Sequence, residues 1–305
     1  MRKLCIACVL ALGALSASTV LAEEKAGTNT EEKAKFPLSI TLESDLYSAY
    51  VWRGCILNDR PVWQPSVASS LDLFGYGALN ANLWMNYDLW GQKRVGHQTF
   101  AGLSEIDYTL SYSVDIKDVS LEVGHIWYTF PKANGSDYAG STKEVYGKAA
   151  YNNKIVTPSI GFYGDYDAVK GWYIPVGLNH EFALTDQLTL GLDAIVGLGD
   201  KKELNAYHGG DRTLEGGLCD FTADAYLSYA VTDNLSLGAK LAWTSILGGD
   251  ARGHLAAGGG LERRAESVVG AHTDRQAETV QRNTELLVQV GTGCHGCGGE
   301  RVTEF

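Results

Sequence analysis

The sequence has few residues that favour a helical core and no cluster of basic residues. Its 305 residues include 2 Met and 6 Pro, and 25 Lys and Arg stand against 36 Asp and Glu, for a formal net charge of −11 at pH 7. Binding to a nucleic-acid backbone depends on clustered Lys and Arg. We therefore predict no nucleic-acid partner.

The chain also lacks an apolar run long enough for a membrane-spanning helix, which needs about 20 residues. The apolar run at residues 4–15 follows Arg2 and Lys3, and small residues follow it up to Ala22. This is the layout of a secretory signal peptide. We predict a signal peptide over residues 1–22 and a solvated periplasmic lead-in over residues 23–36.

Residues typical of strands and turns are abundant instead, with 36 Gly, 16 Tyr and 7 Trp. Residues 105–116 alternate strictly, so that Ile106, Tyr108 and Leu110 share one face of a strand and Glu105 and Asp107 share the other. A period of two residues is the signature of a β-strand with two different faces.

Eleven such segments are readable in the sequence. They cover residues 37–52, 63–74, 77–90, 103–116, 118–130, 143–152, 154–166, 170–182, 187–198, 219–231 and 234–247. Most are longer than the roughly 5 to 6 residues of soluble sheets and reach the 9 to 11 that cross a bilayer at a tilt. The sequence predicts an all-β fold, an antiparallel transmembrane β-barrel of about 12 strands.

The connections between these segments alternate between short and long, with one exception. The short ones are 75–76, 117–118, 152–153, 185–186 and 232–234, the long ones are 53–62, 91–102, 131–142 and 199–218, and the exception is 167–169. Short periplasmic turns opposite long outer loops are typical of outer-membrane barrels. A soluble β-sandwich is the alternative, but its strands are shorter. We predict a barrel over residues 37–247, located in the outer membrane after export and surrounded by lipid.

Aromatic residues near the long connections fit the interfacial belt of such a barrel. They are Tyr50, Trp52, Trp63, Trp90, Trp127, Tyr128, Trp172 and Tyr173.

The last part of the chain, residues 248–305, departs from this pattern. All Lys residues precede it, it contains no Trp or Tyr, and the only alternation is a weak one at Leu286, Val288 and Val290. Bacterial barrels formed by one chain have an even number of strands, so a closing strand is needed here. We hypothesise that this tail is a frame-shifted or otherwise replaced ending with a poorly formed closing strand.

Several segments resemble a bacterial family of outer-membrane porin-like proteins known as conserved hypothetical β-barrel proteins. The segments are Ser44-Asp45-Leu46-Tyr47, Tyr50-Val51-Trp52-Arg53-Gly54, Pro61-Val62-Trp63-Gln64-Pro65, Glu105-Ile106-Asp107-Tyr108, Tyr128-Thr129-Phe130-Pro131, Lys170-Gly171-Trp172-Tyr173 and Tyr229-Ala230-Val231-Thr232-Asp233-Asn234. The resemblance implies an outer-membrane barrel of about 12 strands and no catalytic residue.

The polar face of the predicted strands is acidic and is assigned to the lumen. The predicted pore-lining residues are Glu43, Asp45, Asp72, Asn80, Asn82, Asp88, Glu105, Asp107, Asp115, Glu122, Asp193 and Asp224, and the strand lysines on this face are Lys148 and Lys240. Carboxylate rings favour cations, so we predict a passive pore for small cationic or neutral solutes. The alternative is that these acids lie in bulk water or pair with loop cations.

Two other classes of function stay open. A non-conducting structural or adhesive barrel would act through its long loops, above all residues 199–218. A lipid-modifying enzyme would need a Ser and a His within hydrogen-bond reach, and His125 and His180 are the strand histidines.

Cysteine use adds one pairing and no cofactor. Cys55 and Cys219 fall on the same side of the predicted barrel, so they are candidates for a disulfide in an oxidising compartment. Cys294 and Cys297 form a single C-x-x-C pair without a second pair, which is a weak zinc or redox signal. We predict no cofactor and no metal.

Overall fold

The computed structural model describes residues 37–90, 93–94, 97–98, 101–131, 140–207, 214–247 and 287–293. The predicted signal peptide, the lead-in, the Cys294 and Cys297 pair and most of the atypical tail lie outside the described residues.

The described residues form sixteen strands and one short helix. They are β1 (Leu38–Tyr47), β2 (Tyr50–Trp52), β3 (Cys55–Asn58), β4 (Val62–Asp72), β5 (Ala78–Asp88), β6 (Lys93–Arg94), β7 (His97–Gln98), β8 (Gly102–Ile116), β9 (Val119–Phe130), β10 (Gly140–Tyr151), β11 (Thr157–Asp165), β12 (Trp172–Ala183), β13 (Leu188–Gly199), α1 (Lys201–Tyr207), β14 (Gly217–Thr232), β15 (Leu235–Ile246) and β16 (Leu287–Gly293). No helix among these residues has the length and apolar character of a membrane span.

Twelve of the strands close into one antiparallel barrel, in the order β1-β4-β5-β8-β9-β10-β11-β12-β13-β14-β15-β16 and back to β1. Consecutive barrel strands pair along the chain, so the topology is a simple meander. The predicted all-β barrel is confirmed. Closure gives every strand a partner on both sides, which a bilayer demands because unpaired backbone groups in lipid cost several kcal/mol each.

The closing strand is β16, which begins within the weak alternation noted in the tail. It pairs with β15 from Ser236 to Ala242 and with β1 over Glu43–Leu46. The pairing with β1 covers four residues, whereas β1 pairs with β4 over ten. The closing seam is therefore the shortest ladder of the barrel.

One predicted strand is divided in the structure. The sequence alternates from residue 37 to residue 52, but the barrel strand β1 ends at Tyr47 and a bend at Ser48 and Ala49 directs the chain into a separate hairpin, β2–β3. Alternation cannot reveal this division, because the hairpin strand and the barrel strand have the same period.

The two faces of the barrel differ as the pattern predicted. Large apolar side chains are exposed on the outside, among them Leu42, Val67, Leu110, Val123 and Leu178. On the inner face the alternate positions hold polar groups, so the exposed apolar surface forms the belt that lipid covers.

Candidate functional site

The β2–β3 hairpin does not extend the barrel wall but folds into the barrel mouth, the end of the lumen beside the long connections. Its turn, Arg53-Gly54, has positive φ at both residues, 47° and 78°, as two-residue hairpins with a type I′ turn require. A Cβ added at Gly54 would lie 2.5 Å from Asp220 Cβ and 2.9 Å from Ile246 Cδ1. The tip therefore touches strands β14 and β15 of the barrel wall.

Arg53 at this tip holds the hairpin in place through two carboxylates. Its Nη1 and Nη2 donate to Glu144 Oε1 and Oε2, both at 2.9 Å, and Nη1 also donates to Glu203 Oε1 at 2.7 Å. Glu144 belongs to the barrel wall and Glu203 to α1, and all three side chains are at most 5% exposed. A fork-shaped guanidinium suits this bidentate arrangement better than a lysine would.

Aromatic rings enclose the guanidinium. Its Cζ lies 4.5 Å from the ring centre of Tyr173, 4.7 Å from Trp52 and 5.3 Å from Tyr163. Tyr128 completes the group by donating its hydroxyl to Glu144 Oε2 at 2.8 Å. Cations are attracted to ring faces at such distances, so Arg53 is held by charge and by ring stacking together.

Burial and charge act in opposite directions on this group. Burial lowers the pKa of Arg53, but Glu203 and Glu144 raise it by more, so the net pKa is raised and Arg53 stays a cation. Burial also raises the pKa of Glu203, and Arg53 offsets this rise only in part. The mouth of the barrel thus holds one positive charge, that of Arg53, between the carboxylates of Glu144 and Glu203.

The base of the hairpin is fastened to β5, the neighbour of β4 in the barrel wall. Asn58 Nδ2 donates to Asp88 Oδ1 at 2.6 Å, and Asn86 Nδ2 donates to the same oxygen at 3.1 Å. Tyr50 packs on Trp84 with ring centres 5.7 Å apart. Both ends of the hairpin are consequently anchored to inner-face side chains.

Helix α1 fills the space next to the hairpin tip. The carboxylate of Asp200 caps the helix by accepting a hydrogen bond from the backbone N–H of Glu203 at 2.8 Å. The side chain of Leu204, on the helix itself, is buried. Cys55 Sγ donates to the carbonyl of Tyr207 at 3.0 Å. The helix and the hairpin therefore form one packed unit in the mouth.

The predicted pore-lining residues all alternate with the outward apolar positions. The mouth half contains Asp45, Asp88, Glu105 and Asp107, the middle of the wall contains Glu43, Asp193 and Asp224, and the half beside the short turns contains Asp72, Asn80, Asn82, Asp115 and Glu122. Asp72 and Asp115 lie at the rim, where Asp72 accepts from the backbone N–H of Phe74 and Asp115 from the Ser120 hydroxyl. That these side chains line a conducting path stays a prediction.

The two strand lysines each pair with an acid on the same face. Lys148 Nζ lies 3.3 Å from Glu122, and Lys240 Nζ lies 3.1 Å from Asp224.

The roles of Arg53 and Glu203 are not predictable from the alternation of the sequence. Both residues are in connections, where alternation carries no information about which side chains turn inward. The signal that could have identified the hairpin is the two-residue Arg53-Gly54 turn between apolar and aromatic neighbours.

The aromatic belt on the long-connection side was half wrong. Trp63, Trp90, Trp127 and Trp172 are exposed on the outside. Tyr50, Trp52, Tyr128 and Tyr173 contribute to the mouth instead, because their strand parity or their hairpin directs them inward.

The two strand histidines lie on the outer face. His125 Nε2 is 2.8 Å from the Tyr166 hydroxyl, and His180 packs edge-on against Phe182. Ser120 and Glu122, the sequence neighbours of His125, are on the opposite face of the same strand. Within the described part of the chain no group of three His, Cys, Asp or Glu side chains is arranged to hold a metal ion.

The disulfide candidates meet in the same packed unit. Cys55 on the hairpin and Cys219 on β14 are both buried and are present as thiols. Their neighbouring residues, Gly54 and Asp220, are in direct contact. A disulfide between them stays a prediction.

Comparisons with known proteins bear on the whole barrel. A model of the bacterial family Gcw_chp, described as a bacterial protein of unknown function, matches residues 31–235. No curated protein matches the chain.

Solved structures with a similar course are outer-membrane barrels. The COG4313 outer membrane channel from Pseudomonas putida F1 is 10% identical with a TM-score of 0.50, covering 88% of this chain and 99% of that one. The NanC porin is 9% identical with a TM-score of 0.47, covering 84% and 100%. The KdgM porin in complex with disordered oligogalacturonate is 11% identical with a TM-score of 0.43, covering 85% and 99%.

At such low identity the likeness to the Pseudomonas channel shows the outer-membrane barrel fold alone. The family model matches well over half of the sequence, including the inserted hairpin and its Arg53. The chain therefore belongs to Gcw_chp, a bacterial family of unknown function with an outer-membrane β-barrel fold.

Proposed function

We propose that the chain forms a passive outer-membrane pore that favours small cationic or neutral solutes over anions. One observation supports this above others, namely the balance of charge on the inner face. Among the residues that the structure describes, the cations there, Arg53, Lys148 and Lys240, each face a carboxylate already. The other inner-face carboxylates therefore set the sign of the potential that a solute meets, and negative rings favour cations.

The inserted hairpin places charged and aromatic groups in the mouth of this pore. Tyrosine and tryptophan rings, a guanidinium and two carboxylates converge there. A passage bounded by such groups selects by size and charge, as loops folded into barrels restrict the lumen.

The test is a reversal-potential measurement in planar bilayers under a KCl gradient. We expect a potential of the sign for K⁺ preference, and a weaker one for the double variant Glu43→Gln and Asp193→Asn. Asp186→Asn, which removes an equal charge in an exposed short turn, is the control and should leave the potential unchanged. Anion preference of the wild type would refute the proposal.

A non-conducting barrel is the second candidate, and the packing of hairpin and α1 in the mouth favours it. If the barrel is non-conducting, protein that fractionates with the outer membrane and shows heat-modifiable mobility on gels should give no conductance. The same fractionation tests the location, since a product that stays water-soluble without detergent contradicts both candidates.

A further inference from the structure

A row of polar side chains crosses the inner face below the mouth. The register places Asn179 opposite Asp193 on β12 and β13, and Asp193 opposite Asp224 on β13 and β14. Lys240 on β15 reaches the end of this row. Two carboxylates thus face each other directly on neighbouring strands, a pairing that is destabilising unless a positive charge intervenes.

The contacts satisfy three of the four carboxylate oxygens at most. Asn179 Nδ2 donates to Asp193 Oδ1 at 2.7 Å, and Lys240 Nζ lies 3.1 Å from Asp224 Oδ2. The Asp224 side chain is 5% exposed, yet its Oδ1 is buried without a hydrogen-bond partner in the described structure. Buried acceptors are nearly always paired, so this oxygen calls for a donor or a cation that the described side chains around it do not supply.

Lys240 cannot supply that charge alone. It neutralises one of two carboxylates, and its side chain is 32% exposed, so its flexible stem is partly in the lumen. The trio of Asp193, Asp224 and Lys240 carries a net charge of −1 when all are ionised.

We propose that Asp193 and Asp224 form a binding site for a partly hydrated divalent cation, with Ca²⁺ as the reference ion. Hard cations of this class take carboxylate and amide oxygens as ligands and retain water where protein ligands are few. Two carboxylates make a weak site, and Lys240 competes with the ion for Asp224. Weak binding suits a site on a conduction path, since an ion must leave as well as enter.

The role of this cation site in conduction rests on the proposed function, whereas the binding of Ca²⁺ can be measured whether or not the barrel conducts. Two acids of the mouth, Glu144 and Asp88, are less suited to such a site because protein donors occupy them. Arg53 and Tyr128 cover Glu144, and Asn58 and Asn86 cover Asp88.

The test is calorimetric titration of CaCl₂ into folded, detergent-solubilised protein at constant ionic strength. We expect saturable binding by the wild type and binding at least about tenfold weaker in Asp224→Asn, since a neighbouring unit charge is removed. Lys240→Gln should bind Ca²⁺ severalfold more tightly, because the competing ammonium is gone. A purely structural role for the row does not predict this tightening.

Asp115→Asn is the matched control, because it removes an inner-face carboxylate at the rim whose partner is Ser120. Asp193→Asn is the second variant if Asp224→Asn does not fold, as judged by heat-modifiable mobility. Equal Ca²⁺ affinity in Asp224→Asn and Asp115→Asn would overturn the site. The absence of saturable Ca²⁺ binding by the wild type would also overturn it and would indicate that the two acids share a proton instead. Ca²⁺ binding without conductance would refute the pore and leave the site, whereas cation conductance without binding would do the reverse.

Discussion

The two halves of the lumen contrast sharply. In the mouth half, Arg53, Glu144 and Glu203 are at most 5% exposed and are packed against rings. In the half beside the short turns, Glu122 and Lys148 form an ion pair with 15% and 20% of their side chains exposed. The same kind of charged pair is thus buried in one half and partly exposed to solvent in the other.

The difference arises from what each end of the barrel can insert. Short turns have no spare chain to fold inward, so the inner face there meets water. The long connections carry a hairpin and a helix, which bury Arg53, Glu144 and Glu203 and so strengthen the electrostatic contacts between them. The mouth is therefore where a substitution should change the pore most.

The largest effect is expected from Arg53→Ala. The change leaves Glu144 and Glu203 buried without their cation, and breaking a buried ion pair costs about 3–5 kcal/mol. We expect the hairpin to leave the mouth, which raises single-channel conductance severalfold and, under reducing conditions, makes Cys55 accessible to maleimide, as read by peptide mass mapping.

Arg60→Ala is the control for this variant, since Arg60 is in the same connection with 61% of its side chain exposed. Equal conductance and equal labelling of Cys55 in the two variants would show that the ion pair does not hold the hairpin.

A smaller effect is expected from Gly54→Ala. The added Cβ would lie 2.5 Å from Asp220 Cβ, and the residue would have to keep a φ of 78°. We expect partial release of the hairpin and an increase in conductance between those of the wild type and Arg53→Ala. Gly75→Ala isolates the contact, because Gly75 has a φ of 93° with open space around it and shares only the backbone cost, roughly 1 kcal/mol. If Gly54→Ala and Gly75→Ala have the same conductance, the close approach of Gly54 to Asp220 does not hold the hairpin in the mouth.

The smallest effect is expected from the pH dependence of Glu203. Because burial raises its pKa above the ordinary value, the folded state binds this proton more tightly than the unfolded state does. The contribution of Glu203 to stability therefore decreases as pH rises from the ordinary pKa through the raised one. Relative to Glu203→Gln, the wild type should lose stability as pH rises above the ordinary pKa of a glutamate.

The readout is the temperature at which the folded gel band converts to the unfolded one. Glu215→Gln, with 80% of the Glu215 side chain exposed, should shift in parallel with the wild type. A difference between wild type and Glu203→Gln that stays constant with pH would contradict the assignment.

Much of the fold was predictable because a barrel wall is a local pattern repeated. Each strand must present apolar side chains to lipid and polar ones to the lumen, so residues 105–116 reveal their two faces without knowledge of any neighbour. The closing strand was not predictable with the same clarity, since its seven residues alternate weakly and pair with β1 over four positions.

The sequence by itself determined the two faces of most strands, the order of short and long connections and the acidic inner surface, because a period of two is set residue by residue. The tertiary structure alone decided that Tyr50–Asn58 folds into the mouth and that Arg53 meets Glu144 and Glu203. Glu144 is 91 positions from Arg53 in the sequence, and Glu203 is 150 positions from it. Only closure of the barrel brings such distant side chains within reach of one guanidinium.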